Sequence, residues 1–147
     1  NKFISNCIAK NLLHLPIIIN QNAIYDYLFI DDFSRIIEKL ITNDIEKKIL
    51  NITPTKSTDL ISINNQIQKN LNIKTGFKLL NDGYGAEYTG DNTSLIECIG
   101  NFEFTSIKKS VEILLSYYST NISLINKDDL IDDQFLEYAK KINPNES

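Results

Sequence analysis

The stretch YDYLFIDDFSRIIEKLI, residues 25–41, constrains the fold more than any other part of the chain. Its first six residues read as a short strand that ends at two aspartates. Beyond them Phe33, Ile36, Ile37, Leu40 and Ile41 recur at the i, i+3, i+4, i+7, i+8 spacing of one buried helical face. Asp31 or Asp32 can accept a hydrogen bond from the free amides of the first turn, and its charge suits the positive end of the helix dipole.

The flanking sequence extends the pattern. Residues 3–15 have helical periodicity, and His14-Leu15-Pro16 ends it, because proline disfavours the helical conformation in the residue before it. Residues 17–19 form an apolar strand, Asn20-Gln21-Asn22 a polar turn, and strands 17–19 and 25–30 can pair as a hairpin. Residues 48–53, stopped by Pro54, suit a buried parallel strand. Ser57 or Thr58 caps a helix carrying Leu60, Ile63, Ile67 and Leu71, which Asn70 and Asn72 terminate.

Residues 73–80 alternate as a strand. Residues 81–90 hold three of the five glycines and read as a loop, a candidate flap over a ligand. Asp91 or Asn92 caps a short helix with Leu95, Ile96 and Ile99, which Gly100 closes. Thr105 caps a helix bearing Ile107, Val111, Leu114, Leu115 and Tyr118. Asp128 or Asp129 starts a last helix through Ile131, Phe135, Tyr138 or Ala139 and Ile142, stopped at Asn143-Pro144, and a disordered tail is expected after it.

The chain has 147 residues, enough for one domain with a core. Its hydrophobic share of 42% is ordinary for a globular domain. A net charge of -4, with lysines scattered rather than striped, argues against a nucleic-acid partner. No apolar run is long enough for a membrane span and no secretory signal opens the chain, so a cytoplasmic location and no membrane partner are expected. Cys7 and Cys98 are too few for a disulfide framework and read as buried free thiols. The chain contains no methionine and opens on an amphipathic segment, so it is expected to be a piece of a longer protein.

Several segments together resemble the extended short-chain dehydrogenase/reductases, the NAD-dependent epimerase/dehydratase family of nucleotide-sugar enzymes. Asp26-Tyr27-Leu28-Phe29-Ile30-Asp31-Asp32 resembles the core of the family's R-D-F-V-Y-V-D-D segment, with Tyr25 in the place of its arginine. Pro16-Ile17-Ile18-Ile19 is similar to its P-x-x-I strand. Leu50-Asn51-Ile52-Thr53 with Lys56-Ser57-Thr58 is similar to Y-N-V-G-x-G-x-S. The run from Glu87 to Gly100 resembles D-x-S-K-x-x-x-x-L-G. Thr105 to Tyr117-Tyr118 resembles the closing helix.

The resemblance implies the C-terminal part of a Rossmann-type α/β enzyme, a small mixed α+β substrate-binding lobe with helices on short strands. It covers residues 1–120, with residues 121–147 left as a C-terminal helix and polar tail. In the family this part binds a sugar or nucleotide-sugar. Asn20, Gln21, Tyr25 and Asp26 correspond to a hairpin used for substrate, and Tyr84 and Glu87 fall in an R-P-G-D turn.

The family's dinucleotide turn G-x-x-G-x-x-G is not present, since Gly83 and Gly85 lack the third glycine and the pattern. None of the seven tyrosines is followed four residues later by a lysine, as the family's catalytic pair requires. NAD or NADP and the chemistry are therefore expected of a missing N-terminal half, and no cofactor, metal or catalytic residue is assigned here. Exposed strand edges imply self-association, as a homodimer, or docking of that half. A stand-alone ligand-binding or protein-interaction module is the alternative. Arg35 is the sole arginine, so the family's two diphosphate-binding arginines have no counterpart. The sole histidine, His14, reads as a helix-end residue rather than a metal ligand.

Overall fold

A computed structural model describes residues 2–43, 45 and 49–132. In chain order the elements are α1 (Phe3–Leu12), β1 (Ile18–Tyr25), α2 (Ile30–Thr42), β2 (Thr58–Asp59), α3 (Leu60–Leu71), β3 (Lys78–Tyr88), α4 (Thr93–Ile99) and α5 (Ile107–Thr120). A 3-10 turn (Ile122–Leu124) and a short α6 (Lys127–Ile131) follow. Residues 133–142 of the expected last helix, and Asn143-Pro144, lie outside the described residues.

The sheet has three strands in the order β2-β1-β3, with β1 antiparallel to β2 and parallel to β3. One core joins α1, α3 and α5 to the start of β1 through Cys7, Ile8, Ile17, Ile19, Ile63, Ile67, Val111 and Leu115. A second joins α2 to α4 through Ile36, Leu95 and Ile99, with Leu50, Ile52, Phe102 and Phe104 packed against it.

The architecture is a small mixed α/β fold, as expected, but several local expectations change. The hairpin is a single strand: β1 runs through Asn20-Gln21-Asn22 and stops at Tyr25, where the second strand was expected to begin. The polar run stays extended because its amides find partners on neighbouring elements. Residues 49–53 form no strand; Asn51 and Thr53 instead donate side-chain hydrogen bonds to the carbonyls of Asp91 and Gly90. Lys48 lies outside the described residues.

Residues 73–77 are irregular, while 81–88, read as a loop, belong to β3. Gly83, at φ 73, sits where β3 carries extra residues: Gln21 pairs with Asn81 but Asn22 with Tyr84. A left-handed backbone conformation fits glycine there without a Cβ penalty, so the glycine marks a bulge rather than a loop.

Helix ends also differ. Phe29 precedes α2 without a side-chain cap, because Asp32 is turned toward Thr105. Asp59, not Ser57 or Thr58, caps α3, and Ser106, not Thr105, caps α5. Asn126, not an aspartate, caps α6. Helix α1 ends at Leu12, and His14 at φ 54 lets Leu15 N donate to Lys10 O at 2.8 Å. Asn72, left-handed at φ 53, and Gly100 close α3 and α4 as expected.

Candidate functional site

Ligands of open α/β sheets bind beyond the carboxyl ends of parallel strands. In this chain that place is where β1 and β3 end side by side, with Tyr25 paired to Tyr88. Their rings stack at 5.1 Å between centroids and 10° between planes. Tyr27 lies tilted against Tyr25 at 5.7 Å and packs on the larger core. Asp26 continues the ladder, its backbone N–H donating to Tyr88 O, and its Oδ2 accepts from Gly90 N at 2.7 Å. That clasp fixes the turn after β3.

Tyr25, Asp26 and Glu87 therefore come together at one end of the sheet. By the alternation of a strand, Glu87, paired with Ile24, points to the face opposite Tyr25 and Tyr88. It accepts a hydrogen bond from Thr89 Oγ1 at 2.7 Å. Tyr84 sits further back, opposite Asn22, and is exposed.

Asn20 and Gln21 are only 8% and 5% exposed. Asn81 Nδ2 donates to both the backbone and the side-chain oxygen of Asn20, and Gln21 Nε2 donates to Asp82 O. These two amides hold β3 against β1, upstream of the strand ends. Tyr27 and Tyr88 were not singled out in the sequence. The Tyr-x-Tyr spacing, which puts two rings on one strand face, was the available sign for Tyr27; nothing local marks Tyr88.

Burial first, and then the neighbouring Tyr88, raise Tyr25 above the usual tyrosine pKa. Burial, then Tyr25 and Cys7, raise Tyr27 further. At neutral pH these phenols keep their protons and act as hydrogen-bond donors. Neither Tyr25 nor Tyr88 hydrogen-bonds through its hydroxyl to a described residue. The charged side chains within two residues of these strand ends and of β2 are Asp26, Asp59, Glu87 and the single cation Lys56.

A separate open cleft of about 370 Å³ lies along α4, lined by Thr55, Thr93, Ile96, Glu97, Asn101 and Phe102. Asn92, expected as a helix cap, also lines it, but none of Asn20, Gln21, Tyr25, Asp26, Tyr84 and Glu87 does. Among the described residues, no cluster of three or more His, Cys, Asp or Glu could hold a metal ion. No helix among them is long and apolar enough to cross a membrane.

No family model and no curated protein sequence matches this chain. Solved structures do. The chain is similar to UDP-glucuronic acid 4-epimerase from Bacillus cereus in complex with NAD, at a TM-score of 0.72 and 14% identity over 82% of this chain and 40% of that one. It shares one fold with part of that enzyme. UDP-glucose 4-epimerase from Thermotoga maritima, solved with UDP-glucose, matches at a TM-score of 0.71 and 14% identity over 82% of this chain and 40% of that one. dTDP-glucose 4,6-dehydratase from Bacillus anthracis, in complex with NAD, matches at 0.67 and 16% identity over 83% and 40%. The chain thus spans about 40% of the length of these enzymes.

Proposed function

We propose that this chain is the C-terminal, substrate-binding part, residues 1–120, of an NAD(P)-dependent sugar or nucleotide-sugar epimerase, dehydratase or reductase. The observation that carries the reading is the shared fold with nucleotide-sugar enzymes over four-fifths of the chain, together with the paired carboxyl ends of β1 and β3. Tyr25, Asp26 and Glu87 stand nearest the ligand, Tyr84 flanks it, and Asn20 and Gln21 hold the strand pair that presents it. The dinucleotide and a Tyr-Lys pair belong to an N-terminal Rossmann half, which passes hydride between the nicotinamide and a sugar carbon. This part selects the substrate. The intact protein acts in the cytoplasm.

The test is the native gene product. A product roughly twice this length, with a glycine-rich turn and Tyr-x-x-x-Lys upstream and NAD(P)-dependent turnover of a sugar, supports the reading. A native product of this length that binds no sugar or nucleotide-sugar overturns it.

A second reading, a stand-alone binding module that self-associates, is favoured by apolar side chains left in solvent. Ile41 and Ile49 are 78% and 87% exposed. Sedimentation decides between the two: a strictly monomeric 147-residue chain removes the self-associating module.

A further inference from the structure

We infer that the ring of Tyr88 is a stacking shelf for an uncharged sugar ring, and that the site disfavours a diphosphate. The inference rests on the reading of this chain as a substrate-binding part and narrows its ligand. Tyr88 is 55% exposed and lies on β3, an edge strand of the sheet. An exposed tyrosine ordinarily samples several rotamers, but this ring is held nearly parallel to Tyr25, its register partner. Tyr25 is in turn backed by Tyr27, which is anchored in the core. One face of Tyr88 is thus supported and the other is open, which is the arrangement an aromatic platform needs. The ring is ordered before a ligand arrives, so binding loses little side-chain entropy.

The commitment of the sole arginine elsewhere narrows the ligand class. A diphosphate is bound by guanidinium forks or clustered cations. The sole arginine, Arg35, is committed elsewhere: it donates to Asp32 and to Glu103 O, and its guanidinium lies 4.8 Å from the centre of the Phe102 ring. Within two residues of these strand ends and of β2 the one cation is Lys56, and a lone ammonium offers a point charge rather than a fork. Glu87 and Asp59, both paired with Ile24, add negative charge at the same strand ends, on the sheet face opposite the two rings. Two phenol hydroxyls without a hydrogen-bond partner among the described residues, beside an aromatic face, suit a neutral polyhydroxylated ring: its C–H face stacks and its hydroxyl oxygens accept hydrogen bonds from the phenols.

Saturation-transfer NMR on the 147-residue chain tests this, with methyl glucopyranoside and UDP as the two probes. A single open shelf binds near 1 mM, a range that this method reads. Irradiating the tyrosine ring protons is expected to transfer to one face of the glucoside and not to UDP. Tyr88→Ala is expected to weaken the transfer about tenfold, in the range of lost aromatic stacking, whereas Tyr88→Phe, which keeps the ring and loses one donor, weakens it much less. Near-UV circular dichroism confirms that both variants are folded. Transfer to UDP that Tyr88→Ala abolishes overturns the neutral-ring inference and leaves the nucleotide-sugar reading standing. Glucoside transfer that Tyr88→Ala leaves intact overturns the shelf alone. Silence of both probes on the folded chain overturns the inference and leaves the substrate-binding reading to the native gene product.

Discussion

The Asp32 carboxylate accepts both the backbone N–H and the hydroxyl of Thr105, each at 2.7 Å, across 73 residues of sequence. Arg35, one turn along α2, donates to the same carboxylate. The carboxylate is 1% exposed and ties α2 to the segment that leads into α5. Removing it leaves a buried N–H without a partner, so Asp32→Ala is expected to lose about 3 kcal/mol of stability. Thr105→Val, which removes only the hydroxyl, loses about 1 kcal/mol. Urea titration of the two variants measures both.

The same contact sets a pH dependence. Burial pushes the Asp32 pKa up, but the hydrogen bond from Arg35, those from Thr105 and the Arg35 charge together outweigh it, and the net shift is downward. The folded state therefore holds its proton less tightly than the unfolded one. The stabilisation is complete above the unfolded value of 3.8 and is lost as pH falls through the lower folded value. Stability between pH 5 and pH 2 is expected to fall less steeply in Asp32→Asn than in wild type. Parallel slopes would remove Asp32 from the acid transition.

The helices α2, α3, α4 and α5 were legible in the sequence because each has a one-sided apolar repeat that the core absorbs. The sheet was not. Asn20-Gln21-Asn22 has the composition of a turn, and only the partners supplied by Asn81, Asp82, Asp59 and Ile61, some 37 to 61 residues away, let it persist as buried strand. Gly83 and Gly85 misled in the same way. A glycine pair scores as loop, yet here one occupies a bulge and the other a close strand contact. Of the strand-end cluster, Tyr25 and Asp26 were visible in the organising segment and Glu87 through the family resemblance. Tyr88 joins it only through the register of β1 and β3. Cys98, expected to be buried, is only partly so, packed at the margin of the smaller core.

Asp59 caps α3 and at the same time anchors β1. It accepts from Ser62 N at 3.0 Å and Ser62 Oγ at 2.6 Å, and from Asn22 Nδ2 at 3.1 Å. Asn22 Oδ1 in turn accepts from Ile61 N. Loss of the cap in Asp59→Ala is expected to destabilise by about 1–2 kcal/mol. Asn22→Ala, which strips both bonds from a buried amide, should cost about 2 kcal/mol. Because the two side chains share one hydrogen bond, the double variant should lose less than the sum of the singles. Strict additivity in denaturant melts would show that the Asn22–Asp59 bond carries no stability.

Gly85 is expected to be intolerant of even one added carbon. A Cβ there would lie 3.0 Å from Gln21 Oε1 and 3.5 Å from the carbonyl oxygen of Asn22. Gln21 cannot readily retreat, because it is buried and its Nε2 donates to Asp82 O at 3.0 Å. Gly85→Ala should therefore cost about 1–2 kcal/mol by overpacking. The side-chain amide resonances of Gln21 should move in the variant's NMR spectrum. An unshifted Gln21 with unchanged stability would mean that β3 yields instead.

The two thiols should differ sharply in reactivity. Cys7 Sγ is enclosed between α1 and α3 and donates to Asn64 Oδ1 at 3.2 Å. Asn11 Nδ2 donates to the same oxygen at 3.2 Å and to Cys7 O at 2.9 Å, closing the group. Burial pushes the Cys7 thiol up to about 12, against smaller lowering effects from Asn11 and Lys10. Since the thiolate is the reacting form, Cys7 at pH 8 should react roughly a thousandfold more slowly than an ordinary thiol, even before its burial blocks the reagent. Cys98, near the end of α4, is only partly buried and can be reached by the reagent. Titration with a chromogenic disulfide should count one thiol in the folded chain and two in urea. The slow second thiol should appear at the rate of unfolding. A fast reaction of both in native buffer would show that α1 opens from α3 without global unfolding, and that the Cys7–Asn64–Asn11 group does not hold them together.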